Sequence, residues 1–279
     1  MHEVWLSMLD TSFRVATNDE RIAGLIVLFW EPFLIPGPVG DVTELAVDNV
    51  AGHWTISFDS RLESRVLDPW VLVVTIRNLL TNRAIHSAPD VIPLHSSVVE
   101  RDGIFLVLAG PGRAGKTTLL LELLRRGWLY VSDDLAPIDL PTATAAPFPK
   151  PLQVRDPALL ADFAAGWTVP DWLPAPGSVS LVPPTVLART GATAYRPTVV
   201  VFPRYEAGTE PVLEPLSAAL ALIAAGENLQ REGAVLGGGV TSLRRWIGSA
   251  PAARIRYEST RDALELLGRA LTGVTPDPP

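Results

Sequence analysis

One short stretch of the chain combines residue types and a spacing that suit phosphate binding. Residues 110–117 read Gly-Pro-Gly-Arg-Ala-Gly-Lys-Thr and match the pattern GxxxxGK[ST] at every fixed position. In such a loop, successive backbone N–H groups point at an anion, and the helix that follows adds its positive N-terminal dipole. Lys116 would then contact the β- and γ-phosphates of a nucleotide, and Thr117 would offer its hydroxyl to a magnesium ion. The candidate nucleotide-binding residues are Gly110, Pro111, Gly112, Arg113, Ala114, Gly115, Lys116, Thr117 and Thr118.

Two features of the surrounding sequence support a phosphate loop. Lysine is the rarest residue type that the pattern requires, because the chain contains only two lysines, Lys116 and Lys150, so a chance match would be rare. Residues 104–109 form a continuous apolar run of strand length, and residues 117–126 are predicted to form a helix. The order strand, loop, helix is the one that the pattern needs. The alternative is a glycine-rich turn between a buried strand and a helix.

Two adjacent carboxylates form the second candidate site. Residues 128–132 are predicted to form a strand, and Asp133 and Asp134 follow it directly. Because ligands of α/β sheets bind at the carboxyl ends of strands, these acids would lie near the magnesium ion and the γ-phosphate. One carboxylate would contact the metal and the other would accept the proton of an attacking hydroxyl, and the sequence leaves open which acid has which role. The alternative is a pair of turn residues that closes the strand.

Three other polar residues are candidates on weaker grounds. Arg204 follows a predicted buried strand at residues 197–202, where it would act as a cation in the transition state or lie on the surface as an ordinary arginine. Lys150 would contact phosphate or substrate, or would be a surface lysine. His95 is expected near the end of a strand, opposite the phosphate loop.

Composition and charge argue against several classes of protein. The chain has no cysteine, which leaves no disulfide framework and no thiolate metal site and suits a cytoplasmic protein. The net charge of −7 argues against broad nucleic-acid binding, which needs a basic surface. The apolar runs are shorter than the roughly 18 residues that span a bilayer, and the N-terminus lacks the basic start of a signal peptide. We therefore expect a cytoplasmic protein with no membrane and no nucleic-acid partner.

The chain of 279 residues is predicted to form a small and a large domain. Residues 1–91 are expected to form a small α+β module that recognises the acceptor. Its predicted elements are strands at residues 12–16 and 54–58 and helices at residues 21–29 and 70–82.

Residues 92–279 are expected to form an α/β domain around the phosphate loop. Residues 92–100 are predicted to form one strand, in a hairpin with the strand that precedes the loop. The proline- and alanine-rich residues 137–184 predict an ordered excursion over the active-site edge with short helices, such as one at residues 158–165. Further predicted elements are a helix at residues 216–225, an edge strand at 254–257, a closing helix at 260–271 and a disordered tail at 275–279.

Together, these motifs resemble the catalytic domain of the HPr kinase/phosphorylase family. The resemblance is carried by His95, the loop at residues 110–117 and the run at residues 127–134, with further likeness at residues 148–151 and 201–205. It is closest to the smaller relatives of that family in bacterial biosynthetic clusters, which include kinases of lasso peptide precursors. The resemblance implies a P-loop kinase domain of the HPr kinase C-terminal-domain type, preceded by the small N-terminal module.

The resemblance also implies roles for individual residues. Lys116 would bind phosphates, Thr117 would assist magnesium, and His95 would lie beside the acid pair. One of Asp133 and Asp134 would activate the acceptor hydroxyl while the other holds the metal. HPr kinases usually carry Ser-Glu after the loop lysine where this chain has Thr117-Thr118, and no stretch matches their downstream basic signature. These departures argue against HPr as the substrate and against the reverse phosphorolysis.

The expected function is an ATP-dependent kinase that transfers the γ-phosphoryl group to a hydroxyl. The expected acceptor is a serine of a peptide or protein, with a small molecule as the alternative, and the expected cofactors are ATP and Mg²⁺. Related kinases are often oligomers, so a homo-oligomer is in keeping with the resemblance. The alternative function is a nucleotide-dependent binding or switch protein with ATPase activity only, because a phosphate loop specifies phosphate binding and does not specify the reaction.

Overall fold

The computed structural model describes residues 1–156, 159, 170–173, 180–230 and 238–275. The chain is mixed α/β, and its internal contacts divide it into two compact units. The first unit consists of Met1–Pro89 and Lys150–Val186, and the second consists of Asp90–Pro149 and Leu187–Pro279. Most of the proline-rich stretch that was expected as an excursion thus belongs to the first unit by its contacts. The domain bounds at residues 91 and 92 remain a prediction.

Within the described residues the chain forms fifteen β-strands and six α-helices. The strands are β1 (His2–Met8), β2 (Thr11–Thr17), β3 (Val42–Val50), β4 (His53–Phe58), β5 (Arg61–Val66), β6 (Val91–Leu94), β7 (Ser96–Arg101), β8 (Ile104–Ala109), β9 (Leu129–Ser132), β10 (Ala136–Asp139), β11 (Leu152–Val154), β12 (Ser180–Val182), β13 (Val199–Tyr205), β14 (Val212–Leu216) and β15 (Ala252–Tyr257). The helices are α1 (Glu20–Phe29), α2 (Pro69–Ser87), α3 (Lys116–Arg125), α4 (Ala218–Gly226), α5 (Gly239–Ile247) and α6 (Thr260–Ala270).

The first unit is built on a five-stranded sheet with the strand order β1-β2-β3-β4-β5. β2 and β3 are parallel, and the other neighbouring strands are antiparallel. Alternating apolar residues turn one face of the sheet towards the core, where Phe13, Leu45 and Ile56 are fully buried. Asp19 caps the N-terminus of α1 and Asp68 caps that of α2, each by accepting a backbone N–H of the first turn.

The second unit is built on a six-stranded sheet with the strand order β14-β15-β13-β8-β7-β9. β8, β13 and β15 are parallel to one another, whereas β7 is antiparallel to both β8 and β9. β9 therefore runs in the same direction as β8. The loop after β8 and the acids after β9 consequently leave the sheet at the same edge, which is where α/β sheets bind ligands.

The core of the second unit is formed by the strands that flank the phosphate loop. Val98, Val107, Val131 and Val200, from β7, β8, β9 and β13, are fully buried in one cluster, against which Trp246 of α5 packs. α3 buries several leucines, Leu119, Leu120, Leu121 and Leu123. The strands that position the loop and the acids are thus held by continuous apolar packing.

The structure differs from the sequence-based prediction at residues 92–100. Instead of one strand there are two, β6 and β7, separated at His95. β6 pairs with β10 in a separate two-stranded sheet, whereas β7 joins the six-stranded sheet between β8 and β9. The expected hairpin with β8 is present, but only β7 forms it. The break arises because the backbone N–H of His95 bonds to the carbonyl of Asn228 instead of a neighbouring strand.

The strand predicted at residues 254–257 is not an edge strand. β15 lies between β13 and β14, and its side chains Ile255 and Tyr257 are buried. Arg254 keeps its side chain partly exposed in this position, and its Nη1 lies 3.6 Å from Glu214 Oε2 of the neighbouring β14. An ion pair across strands makes a charged residue compatible with an internal position.

Parts of the predicted structure fall outside the described residues. Except for residue 159, the helix expected at residues 158–165 belongs to those parts, as do residues 276–279 of the expected disordered tail. Within the part of the chain that the structure describes, no helix is both long enough and apolar enough to cross a bilayer.

Candidate nucleotide-binding and catalytic site

The phosphate loop joins the carboxyl end of β8 to the N-terminus of α3. α3 begins at Lys116, and its N-cap Gly115 has a φ of 93° and provides no capping side chain. Arg113 also lies in the left-handed region, with a φ of 67°. Left-handed residues within such a loop turn successive N–H groups towards one concavity, and the first turn of a helix has N–H groups that lack partners within the helix. The loop thus has the backbone form of an anion-binding site.

The ammonium group of Lys116 lies within the loop. Lys116 is only 5% exposed, and its Nζ donates to the carbonyls of Gly110 at 2.8 Å and Pro111 at 3.0 Å. Bonds to two carbonyls orient the charge against the loop backbone instead of towards bulk water. A positive charge held there is suited to neutralise phosphate oxygens that bind to the loop N–H groups.

Asp133 lies beside Thr117, the residue that follows the loop lysine. The two carboxylate oxygens of Asp133 are 3.4 and 3.5 Å from Thr117 Oγ1. Asp133 is fully buried, and Ser97 of β7 donates its hydroxyl to Asp133 Oδ1. β7 runs between β8 and β9, so it brings the acid of one strand next to the loop of the other. The structure therefore places an alcohol and a carboxylate together at the start of α3.

Asp134 has a different environment from its neighbour. Its φ of 62° lies in the left-handed region, and its side chain is 32% exposed. His95 Nε2 is 3.6 Å from Asp134 Oδ1, and the Asp134 carbonyl accepts a bond from Gln230 Nε2 at 2.9 Å. One acid of the pair is thus buried against Thr117, while the other is accessible beside a histidine.

His95 links three parts of the second unit through its backbone. Its N–H donates to the carbonyl of Asn228, at 2.8 Å, and its carbonyl accepts the N–H of Gly110, at 3.4 Å. At the break between β6 and β7, the backbone of His95 therefore bonds both to the first glycine of the loop and to the segment after α4. The side chain of His95 faces Asp134. The sequence predicted that His95 lies near the loop, but no pattern in the sequence predicts its backbone hydrogen bond to Asn228.

Arg204 lies at the carboxyl end of β13, on the other side of the loop from the acids. Its side chain is 67% exposed, and its Nε is 3.4 Å from Glu206 Oε2. An open cavity of about 560 Å³ next to the loop has Arg113, Arg204 and Arg254 in its wall. The structure thus brings Arg204 to the loop, where its ion-pair partner is Glu206. Lys150 belongs to the first unit and is buried, so it is not the surface lysine of the alternative interpretation.

Sequence reasoning missed Ser97 and Gln230. Ser97 is a fully buried serine that precedes two buried valines, and a hydroxyl in such a place needs a hydrogen-bond partner. The pair Ser96-Ser97 next to His95 could therefore have been used to predict a polar contact of this strand. Gln230 is exposed and lies far from Asp134 in sequence, so nothing in its local sequence indicated the contact.

The residues around Thr117 fit a magnesium ion that is held jointly with a nucleotide. Among the described residues, no group of three or more histidine, cysteine, aspartate or glutamate side chains could hold a metal by itself. Magnesium is commonly bound by one or two carboxylates together with phosphate oxygens and water, which are all hard oxygen ligands. The Thr117 hydroxyl and the Asp133 carboxylate would supply two such ligands beside the loop at residues 110–117.

Comparison with known proteins does not assign the chain to a family. No protein-family model matches it, and no curated protein matches it. The function must therefore be argued from the geometry of this site.

Proposed function

We propose that this protein is an ATP-dependent kinase that transfers the γ-phosphoryl group to a hydroxyl, with a serine of a peptide or protein as the expected acceptor. The observation that carries the proposal is the 3.4 Å separation of Thr117 Oγ1 and Asp133 Oδ2 at the N-terminus of α3. A loop alone would support phosphate binding, whereas an adjacent acid pair adds the groups that phosphoryl transfer needs. The order strand, loop, helix, strand, acids supports a P-loop kinase fold of the HPr kinase type.

The two acids differ enough in environment to be given separate roles. Asp133, buried beside Thr117, would hold magnesium together with the Thr117 hydroxyl. Asp134, accessible beside His95, would be the general base. When bound, magnesium supplies charge neutralisation on the phosphate oxygens. The proposal thus gives each acid one of the two roles between which the sequence left the choice open.

The proposed step is an in-line transfer between two oxygens. The acceptor hydroxyl gives its proton to the Asp134 carboxylate, and its oxygen forms a bond to the γ-phosphorus. The bond from that phosphorus to the β–γ bridging oxygen breaks, and ADP leaves with the electron pair. The loop N–H groups and Lys116 stabilise the charge on the phosphates, Arg204 adds a positive charge at the same edge, and His95 orients the base.

A labelling experiment tests the proposal directly. The purified protein is incubated with Mg²⁺, ATP labelled in the γ-phosphate and a panel of serine-containing peptides, beside a Lys116→Ala variant as the control. We expect label on a peptide with the unaltered protein and none with the variant. Label that appears only as free phosphate, whichever acceptor is supplied, would contradict the kinase and favour a nucleotide-dependent switch protein.

A further inference from the structure

Tyr257, at the end of β15, contacts the backbone of the phosphate loop. Its Oη donates to the carbonyl of Ala114 at 3.0 Å, and Tyr257 is only 3% exposed. The two residues lie far apart in sequence, and no part of the GxxxxGK[ST] pattern requires this bond. A hydrogen bond shielded from water is stronger and more directional than one on the surface.

The hydroxyl of Tyr257 also occupies the space beside Gly115. A Cβ added to Gly115 would lie 2.0 Å from Tyr257 Oη and 3.3 Å from Tyr257 Cζ. Atoms cannot approach to 2.0 Å without a shift of the ring or the loop. Glycine is therefore required here for two reasons, the φ of 93° and the closeness of this phenol.

The bond to Ala114 sets the direction of a loop N–H group. The carbonyl of Ala114 and the N–H of Gly115 belong to one planar trans peptide, in which the C=O and N–H bonds point in opposite directions. When Tyr257 fixes the carbonyl on one side of the loop, the N–H must point to the other side. Burial raises the pKa of Tyr257, so the phenol stays protonated and remains a donor at neutral pH.

The ring of Tyr257 is itself held in place. β15 lies between β13 and β14, and Tyr257 is paired in register with Tyr205 of β13. The two rings pack edge to face, with centroids 6.2 Å apart and an interplanar angle of 70°. An edge-to-face pair on neighbouring strands of one sheet gives the hydroxyl a fixed position.

We infer that Tyr257 is a positioning residue for nucleotide binding, which fixes the peptide between Ala114 and Gly115 so that the loop presents its N–H groups to the phosphates. This inference rests on the proposed function, because it assigns the loop to a nucleotide. Tyr257 acts through the loop backbone and does not touch the reacting atoms.

The test is Tyr257→Phe, which removes the hydroxyl and keeps the ring against Tyr205. We expect the affinity for MgATP to fall about fivefold, the loss that one buried hydrogen bond produces. The KM for ATP should rise by the same factor, while the KM for the acceptor stays unchanged. The thermal midpoint should fall by a few degrees, because a buried hydrogen bond is lost. Tyr195→Phe is the matched control, since it removes a hydroxyl from another buried ring of the same unit, one that packs against Phe105 and Trp246, and it is expected to bind MgATP normally.

The outcomes separate this inference from the proposed function. If the unaltered protein binds MgATP and Tyr257→Phe binds it equally well, Tyr257 has no positioning role while the kinase proposal stands. If the unaltered protein binds no MgATP, the proposed function fails and the role of Tyr257 fails with it. A fall in the acceptor's affinity that equals the fall for ATP would show general damage and would also overturn the inference.

A double-mutant comparison with Gly115→Ala gives a second, independent test of the inference. Gly115→Ala in the unaltered protein is expected to weaken MgATP binding more than tenfold, because the new Cβ collides with Tyr257 Oη and takes an unfavourable φ. In the Tyr257→Phe background the colliding oxygen is absent, so Gly115→Ala should weaken MgATP binding by a smaller factor. Independent, multiplicative effects of the two substitutions would overturn the inference.

Discussion

At the scale of single residues, the two adjacent acids should respond differently to neutralisation. Asp134→Asn removes the base but leaves the buried side of the site intact. We expect transfer to the acceptor to slow by about 10²- to 10⁴-fold, the contribution typical of a general base, with MgATP affinity changed less than about twofold. Asp133→Asn removes a negative charge beside Thr117, so we expect both MgATP binding and transfer to be lost.

Calorimetric titration with MgATP and a label-transfer assay measure these two effects separately. Asp102→Asn is a suitable control, because Asp102 is an exposed aspartate in the turn between β7 and β8 of the same unit. Full transfer activity in both acid variants would refute the assignment of base and metal ligand. Normal MgATP affinity in Asp133→Asn would refute the metal role alone.

At the scale of elements, the sequence predicts strands and helices well where their bounds depend on neighbouring residues alone. The strand before the loop, the helix after it and the strand before Asp133 are present within a residue or two of the predicted bounds. A continuous apolar run and a glycine-rich turn are both local signals. The convergence of Thr117 and Asp133 was expected because both follow strands of one sheet.

The elements that the sequence did not predict depend on distant partners. The division of residues 92–100 at His95 requires the carbonyl of Asn228, which lies more than a hundred residues away. The internal position of β15 depends on its pairing with β14, whose Glu214 lies opposite Arg254. The hydrogen bond from Tyr257 to Ala114 likewise joins the last strand to the loop. No local pattern carries information about such pairings, so only the folded chain reveals them.

A helix cap in the first unit gives a prediction about pH. Asp19 accepts the backbone N–H of Arg21 and pairs with its guanidinium, Oδ2 lying 2.6 Å from Nη2. The side-chain bond from Arg21 lowers the pKa of Asp19 below its ordinary value of 3.8. We expect Asp19→Ala to reduce the free energy of unfolding by about 1 kcal/mol at pH 7, the usual cost of removing a cap.

The sign of the pH effect follows from the direction of that shift. Because the pKa of Asp19 is lower in the folded chain, its contribution is complete above pH 3.8 and is lost as the pH falls through the lowered folded value. Urea unfolding of the unaltered protein and of Asp19→Ala at several pH values should therefore show that the difference between their free energies of unfolding becomes smaller in acid. Glu63→Ala, at an exposed residue of β5, is the control. A difference that grows in acid would contradict the assigned cap.

At the scale of the whole molecule, the distribution of charge is uneven. The chain carries a net charge of −7, yet the wall of the cavity beside the loop contains Arg113, Arg204 and Arg254. Lys116 adds a further positive charge within the loop itself. The wall also contains Glu227, and Arg204 and Arg254 pair with Glu206 and Glu214, so we expect the attraction for a small polyanion such as a nucleotide to come mainly from Arg113 and Lys116.

Nucleotide binding at the loop should stabilise the folded chain as a whole. A ligand that binds only the folded state adds about 2.7 kcal/mol of stability at a free concentration 100 times its dissociation constant. We therefore expect saturating MgATP to raise the thermal midpoint by several degrees, as measured by scanning calorimetry. The Lys116→Ala variant should show no rise, because it lacks the charge that Gly110 and Pro111 hold within the loop. An equal rise in both proteins would mean that the nucleotide binds elsewhere, which would remove the basis for placing catalysis at Asp133 and Asp134.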